Sequence, residues 1–241
     1  MKLLILGATG PTGRHVVETA LLSGDQVTVL VRSPAALGDL AERITVAVGD
    51  ATSRRDVATA MTGQDAVVAA LGRGNSVVAD GLFTRSSAAV IAAAEETGFT
   101  RLVWLSSFGV GHTLAWSSPT QKLIYRTLLR SIYANKKTAD EHIRSSGLDW
   151  TVVVYPTRLT HGPAQGTYRA GDRLPMKGNP TISRGGRRGL HASGGTRRRV
   201  DPPHRRHLRL SARPPPGSDS QPLNMTVVIG GCALRGPNRS C

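Results

Sequence analysis

The chain has 241 residues, 39% of them apolar, a formal net charge of +15 and two cysteines, Cys232 and Cys241. That length supports one α/β domain with a sizeable core, and two cysteines near one end exclude a disulfide framework or a Cys-based metal site in the main body. The charge would suggest a nucleic-acid partner, but twelve Arg, no Lys, two Asp and no Glu lie from Arg184 onward, so +10 belongs to that tail and nucleic acid is not the expected partner.

The seven histidines lack metal-ligand spacing, and no metal is expected. No stretch is long and apolar enough to cross a membrane. The apolar run after Lys2 is too short for a signal-peptide core, so a cytoplasmic protein with no membrane partner is expected.

In chain order, Lys2 to Leu6 reads as a strand buried on both faces of a parallel sheet. Glycines follow at Gly7, Gly10 and Gly13, and Pro11 opens a helix carrying Val16, Val17, Ala20, Leu21 and Leu22 before Gly24 ends it. Such a turn aims bare N–H groups and the positive end of a helix dipole at one point, where a diphosphate can sit. Gly7 is read as allowing the tight turn, Gly10 as admitting the diphosphate, and Gly13 as letting the helix pack closely on the strand. Thr9, Pro11, Thr12 and Arg14 occupy the same turn and helix start.

Further strands are expected at Gln26 to Val31, Ile44 to Val48, Ala66 to Leu71, Leu102 to Leu105 and Trp150 to Tyr155. Helical stretches separate them: a weak one over Ala35 to Glu42, one reaching Met61, one from Gly81 to Thr97, and a long one from Pro119 to Ser146. Strand and helix alternate, which predicts a Rossmann-type α/β fold with a doubly wound parallel sheet and ligands at its carboxyl edge.

The domain is expected to span residues 1 to 184. After it the chain turns rich in Arg, Pro and Gly, and all ten aromatic residues lie before position 169. Residues 185 to 241 read as a basic low-complexity tail, disordered over Gly185 to Asn224, with Met225 to Ile229 able to add an edge strand. An Arg, Gly and Pro-rich segment without Lys or aromatics is what a GC-rich gene yields out of frame, so residues after about Arg184 are read as a frameshifted end, with a natural basic tail as the alternative.

Several residues carry candidate chemistry. Arg32, followed by Ser33, ends the second strand where an NAD site would place an acid, and its guanidinium would pair with a 2′-phosphate, favouring NADP. Asp50, before Ala51, either accepts from the adenine amino group or caps the next helix. Ala70, Leu71 and Gly72 are small enough in the main to let the chain pass beneath the cofactor. Ser106 and Ser107 end the fifth strand, Ser106 on the cofactor side and Ser107 as a hydrogen-bond donor to the acceptor. Tyr133 has Lys136 three residues on and Lys137 four residues on. At helical spacing Tyr133 and Lys137 share a face, so the ammonium would lower the phenol's pKa and let it pass a proton to a carbonyl. A Tyr packed on the sheet beside two solvated lysines is the plain alternative.

The stretches GATGPTGR, VTVLVRSP, VGDATS, LSSFGVG, YANKKTADEHIRSSGLDWTVVVYP and GDRLPMKGNPTISR together resemble the atypical short-chain dehydrogenase/reductases called NmrA-like or NAD(P)H-binding. Among these the chain is similar to the biliverdin and flavin reductases. The resemblance implies an NADP cofactor and hydride transfer from NADPH to a small conjugated acceptor such as a flavin, quinone or carbonyl compound. It also implies that the motif glycines, Thr12, Arg32, Asp50, Gly72, Ser107 and Pro156 line cofactor or substrate. In such proteins the Tyr/Lys pair is often lost or shifted, and Lys136 matches their motif better than Lys137, which counts against Tyr133 as the acid. An acidic helix and closing strand that such proteins carry after ISR are replaced here by the Arg-rich tail. A non-catalytic NADP-binding regulator with a protein partner is the rival reading.

Overall fold

The computed structural model describes residues 1–74, 76 and 78–155, together with the backbone of four further strands at 158–160, 169–171, 181–183 and 226–230. Six parallel strands form its centre: β1 (Lys2–Leu6), β2 (Gln26–Val31), β3 (Thr45–Val48), β4 (Ala66–Ala69), β5 (Arg101–Ser107) and β6 (Asp149–Tyr155). Their spatial order is β3-β2-β1-β4-β5-β6, with β1 paired in parallel to both β2 and β4. The order reverses between β1 and β4. In an open parallel sheet this is where the crevice outside the carboxyl ends binds a ligand.

The apolar runs explain why both faces of the sheet are covered. Along β1, Leu4 and Leu6 join the core on one face, whereas Leu3 and Ile5 join that on the other, as a two-residue period requires. Each such side chain contributes roughly 1.5–3 kcal/mol when fully buried, so an uncovered face would forfeit most of the strand's stabilisation. One face is covered by α1 (Pro11–Leu22), through Val16, Val17 and Ala20, and by a 3₁₀ stretch, Pro34–Arg43, through Leu37 and Leu40. The other packs against α2 (Arg54–Met61), α3 (Leu82–Thr97) and α5 (Arg130–Ser145), with Val57, Phe83, Val90 and Ile143 at the contact.

Two helical expectations change. The stretch after β2 is 3₁₀ rather than α because Gly38, at φ 58° and ψ −138°, breaks it. The long helix from Pro119 to Ser146 is two helices, α4 (Pro119–Arg126) and α5. Thr127 ends the first: its hydroxyl donates to the Leu123 carbonyl (2.8 Å), and its backbone leaves helical values at φ −107°, ψ −84°.

Beyond β6, β7 (Arg158–Thr160) pairs with β9 (Thr181–Ser183), while β8 (Arg169–Gly171) pairs with β10 (Thr226–Gly230). The strand expected around Met225 to Ile229 is thus present as β10. It lies between β6 and β8, antiparallel to β6, rather than at the sheet's edge. The reading of Gly185 to Asn224 as disordered lies outside the described residues.

Helix α3 begins at the sheet's carboxyl edge with Gly81 as its N-cap, which has no side chain to cap it. The cap comes instead from α5: Asn135 Oδ1 accepts from the Phe83 and Thr84 amides at 2.9 and 3.4 Å. Removing that acceptor would strand two amides at the helix start. Asn135→Ala is therefore expected to cost about 1–2 kcal/mol of folding free energy, read as a lower midpoint in urea.

Candidate functional site

The turn after β1 separates two kinds of glycine. Gly7 has φ 86°, and a Cβ there would stand 2.5 Å from the Ala70 carbonyl oxygen; at Gly13 a Cβ would fall on the Gly7 carbonyl. Both are demanded by the protein's own packing, the turn against the end of β4 and the helix against the turn. A Cβ on Gly10 would meet only the Gly7 oxygen at 3.5 Å, an ordinary contact. Gly10 is also the N-cap of α1 and caps it with no side chain. A bare cradle at a helix N-terminus, roomier than the protein's own packing needs, fits a diphosphate.

The cradle opens into a cleft of about 570 Å³ at the switch point. Of the expected residues, Gly7, Thr9, Gly10, Pro11 and Thr12 line it from the turn; Arg32, Asp50 and Ala51 line it from β2 and β3; Ala70, Leu71 and Gly72 line it from β4. Gly13 is buried beneath the turn. Arg14 lies outside the lining, its Nη2 donating to the Ala36 and Leu37 carbonyls at 3.0 and 2.7 Å, where it holds the 3₁₀ stretch to α1. Ser33 is the exposed N-cap of that stretch and Ser106 points elsewhere; neither lines the cleft, and Pro156 is outside the described residues.

Asp50 is not a helix cap. Ser53 caps α2, accepting from the Asp56 amide, while Asp50 Oδ1 accepts from the Thr52 amide at 2.8 Å and its hydroxyl at 2.9 Å. The Thr52 amide, with the hydroxyl and the nearby Arg32 and Arg85 guanidinium groups, holds its carboxyl below the usual carboxylate value despite partial burial. Asp50 is thus a fixed anionic acceptor at the cleft wall. Arg85, from the first turn of α3, and Arg73 add two guanidinium groups to the same lining.

The second cluster lies at the ends of β5 and α5. Lys136 Nζ donates to Ser107 Oγ at 2.8 Å and sits 4.8 Å from the centre of the Phe83 ring. Lys137 is exposed and pairs with Glu141 at 3.6 Å. One position along a helix turns a side chain by about 100°, which is why the neighbouring lysines face different ways. Tyr133 donates its hydroxyl to the Phe108 carbonyl at 3.2 Å and stacks on Tyr125, ring centres 4.5 Å apart. Burial, reinforced by Tyr125, pushes its phenol far above the ordinary tyrosine value, opposite to the lowering expected from a lysine on its face.

Asp140, one turn beyond Lys136, is 7% exposed and accepts from Trp104 Nε1 at 3.1 Å and Ser106 Oγ at 2.5 Å. Burial raises its carboxyl pKa, while Ser106, Lys136, Arg144 and Trp104 oppose that rise. Tyr133 and Asp140 also border a second cavity of about 850 Å³ between α5, α4 and the loop after β5. Neither Lys136 nor Ser107 lines either space.

Residues 7–186 match a protein family described as NAD(P)H-binding. The chain belongs to this NAD(P)H-binding family. Its cofactor class is therefore a nicotinamide dinucleotide, in keeping with the bare cradle at Gly10. Among solved structures the fold is similar to ChuY, titled an anaerobilin reductase, from Escherichia coli O157:H7: TM-score 0.68 and 19% identity over 98% of this chain and 100% of that one. It is also similar to the oxidoreductase ylbE of Lactococcus lactis (TM-score 0.66, 19% identity, 80% and 84% covered). A short-chain dehydrogenase/reductase of Veillonella parvula matches with TM-score 0.64 and 18% identity over 99% and 98%. Among the described residues no group of His, Cys, Asp or Glu could hold a metal ion, and no helix is long and apolar enough to cross a membrane.

Sequence reasoning about this NAD(P)H-binding protein passed over Arg73, Arg85 and Asp140. A signal existed for each of the last two. In a parallel sheet the helix after β4 must start at the ligand edge, which brings Arg85 there. Residues 97–139 hold no Asp or Glu, so Asp140 is the first acid within reach of Lys136 on α5. The two kinds of glycine give a test. Gly10→Ala should leave stability unchanged and weaken nicotinamide dinucleotide binding about tenfold or more, whereas Gly13→Ala should cost about 1–3 kcal/mol of stability through overpacking; calorimetric titration and urea melts separate them.

Proposed function

We propose that this protein is an NADPH-dependent reductase of the atypical short-chain dehydrogenase/reductase type, acting on a small conjugated acceptor such as a flavin, quinone or carbonyl compound in the cytoplasm. The observation that carries this reading is a bare glycine cradle sharing one cleft with a guanidinium at the end of β2, while a lysine-backed serine hydroxyl, outside that cleft's lining, ends β5 at the same carboxyl edge of the sheet. The domain extends in this reading over residues 1–184, with 185–241 as a basic tail, and the end of the family match at residue 186 supports that boundary.

In this scheme the Gly10 turn and the first amides of α1 bind the diphosphate. Arg32 selects the 2′-phosphate, supported by Arg85 of the same cleft lining. Asp50, held ionised by Thr52, accepts from the adenine amino group. When bound, the reduced nicotinamide supplies a hydride. The proton that balances it comes from the Lys136 ammonium through the Ser107 hydroxyl, so the acceptor gains one hydride and one proton. Tyr133 is assigned to packing: its hydroxyl is engaged with Phe108 and its raised pKa makes it a poor acid.

The same engagement of Tyr133 favours a second reading, a non-catalytic NADP-binding sensor acting on a protein partner. Steady-state NADPH oxidation against a panel of quinones and flavins separates the two, since tight NADPH binding with no turnover of any acceptor supports the sensor. Cofactor choice has its own test. Losing one charge-assisted guanidinium–phosphate contact costs about 2 kcal/mol, so Arg32→Gln should weaken NADPH binding roughly thirtyfold and leave NADH binding within about twofold. Equal losses for both nucleotides would refute selection by Arg32.

A further inference from the structure

We propose that the cavity between α4, α5 and the loop after β5 is a binding site for a planar aromatic molecule carrying an acidic group, with Arg126 and Arg130 as the side chains that hold its charge. The lining shares no residue with the cleft at the glycine turn, so this site goes beyond the reductase reading and does not depend on it.

The aromatic half of the site is held in place by the loop after β5. Gly109, at φ 91°, lies against two tyrosines: a Cβ there would stand 2.5 Å from the Tyr125 ring and 2.8 Å from the Tyr133 ring. The two rings are stacked with their centres 4.5 Å apart, and both border the cavity together with Val110, Leu114 and Val154. A mostly apolar and aromatic wall with a few convergent polar groups is how small-molecule sites are lined. The volume of about 850 Å³ also falls within their usual span of roughly 300–1,000 Å³. A flat conjugated ring gains apolar burial and offset stacking against such a wall.

The charged half comes from the junction of two helices. Arg126 is the last residue of α4 and Arg130 the first of α5, and the turn between them, closed by the Leu129 amide on the Ile124 carbonyl at 3.1 Å, brings both to this cavity. Lys137 and Arg144 add two more cations to the lining, and Asp140 and Glu141 are its acids. Those acids are already engaged: Asp140 accepts from Trp104 and Ser106, and Glu141 pairs with Lys137 at 3.6 Å. Arg144 rests 5.4 Å from the centre of the Trp150 ring. The Arg126 and Arg130 guanidinium groups have no hydrogen-bond or ion-pair partner among the described residues, and residues 97–139 supply no Asp or Glu to meet them. Like charges gathered at one cavity repel, and an anion between them removes that cost. Guanidinium groups suit the planar, two-oxygen face of a carboxylate, sulfonate or phosphate.

The test is a calorimetric titration of the full chain, with NADPH added in excess to fill the glycine cleft. Three probes are compared: naphthalene-2-sulfonate, its neutral isostere naphthalene-2-sulfonamide, and methanesulfonate, which keeps the charge without the ring. Naphthalene-2-sulfonate is expected to bind with one-to-one stoichiometry, at least about tenfold more tightly than either of the others. Arg126→Gln and Arg130→Gln change exposed side chains that hold nothing within the fold. Each should weaken naphthalene-2-sulfonate about tenfold, through loss of a charge-assisted contact, and leave the sulfonamide within about twofold. Equal affinity for sulfonate and sulfonamide overturns the charge half of the proposal, and equal affinity for methanesulfonate overturns the aromatic half. Sulfonate binding that both substitutions leave unchanged belongs to the Arg-rich tail or the glycine cleft and overturns the site. Failure of NADPH to bind would sink the reductase reading alone, since the two substitutions still locate the sulfonate.

Discussion

The structure depends on the contact between Gly13 and the Gly7 carbonyl. A Cβ at position 13 would occupy the carbonyl's place, so α1 can start directly above the end of β1 only because there is none. That closeness sets the helix N-terminus at the point where the strand order reverses, and Gly7 lies close to Ala70, the residue after β4. The cleft walls, the orientation of the first amides of α1 and the distance to Arg32 and Asp50 follow from these contacts.

Around this point the chain divides its polar groups between holding and binding. Arg14 ties the 3₁₀ stretch to α1, Asn135 caps α3 from a neighbouring helix and Tyr133 closes on Phe108; each uses its polar atoms within the protein. The turn at Gly10 and the wall at Arg32, Asp50 and Arg85 face the cleft instead. Buried polar groups need partners, so a group engaged inside the fold is a poor candidate for the ligand, and a cleft-facing group is a good one.

The polar cluster at β5 and α5 shows how little separates a structural device from a chemical one. Lys136 and Ser107 face each other, and behind them Asp140 takes Ser106 and Trp104. A helix packed against a strand end brings an ammonium onto one serine hydroxyl and a carboxylate onto the preceding one. Phe83 beneath the lysine and the burial of Asp140 keep water from diluting their interactions.

The sequence by itself determined the alternation of strands and helices, the six parallel strands and the glycine turn, because those follow from local periodicity and from the absence of side chains at set positions. The family likeness was legible in the same stretches. Only the tertiary structure decided which of Lys136 and Lys137 meets Ser107, since one residue of helical phase is not fixed until α5 docks on β5. It likewise decided that Arg14 serves the 3₁₀ stretch, that Ser53 rather than Asp50 caps α2, and that α4 ends at Thr127. Those outcomes depend on which backbone carbonyl or carboxylate lies within about 3 Å of a side chain, and such distances arise from packing between segments far apart in the chain.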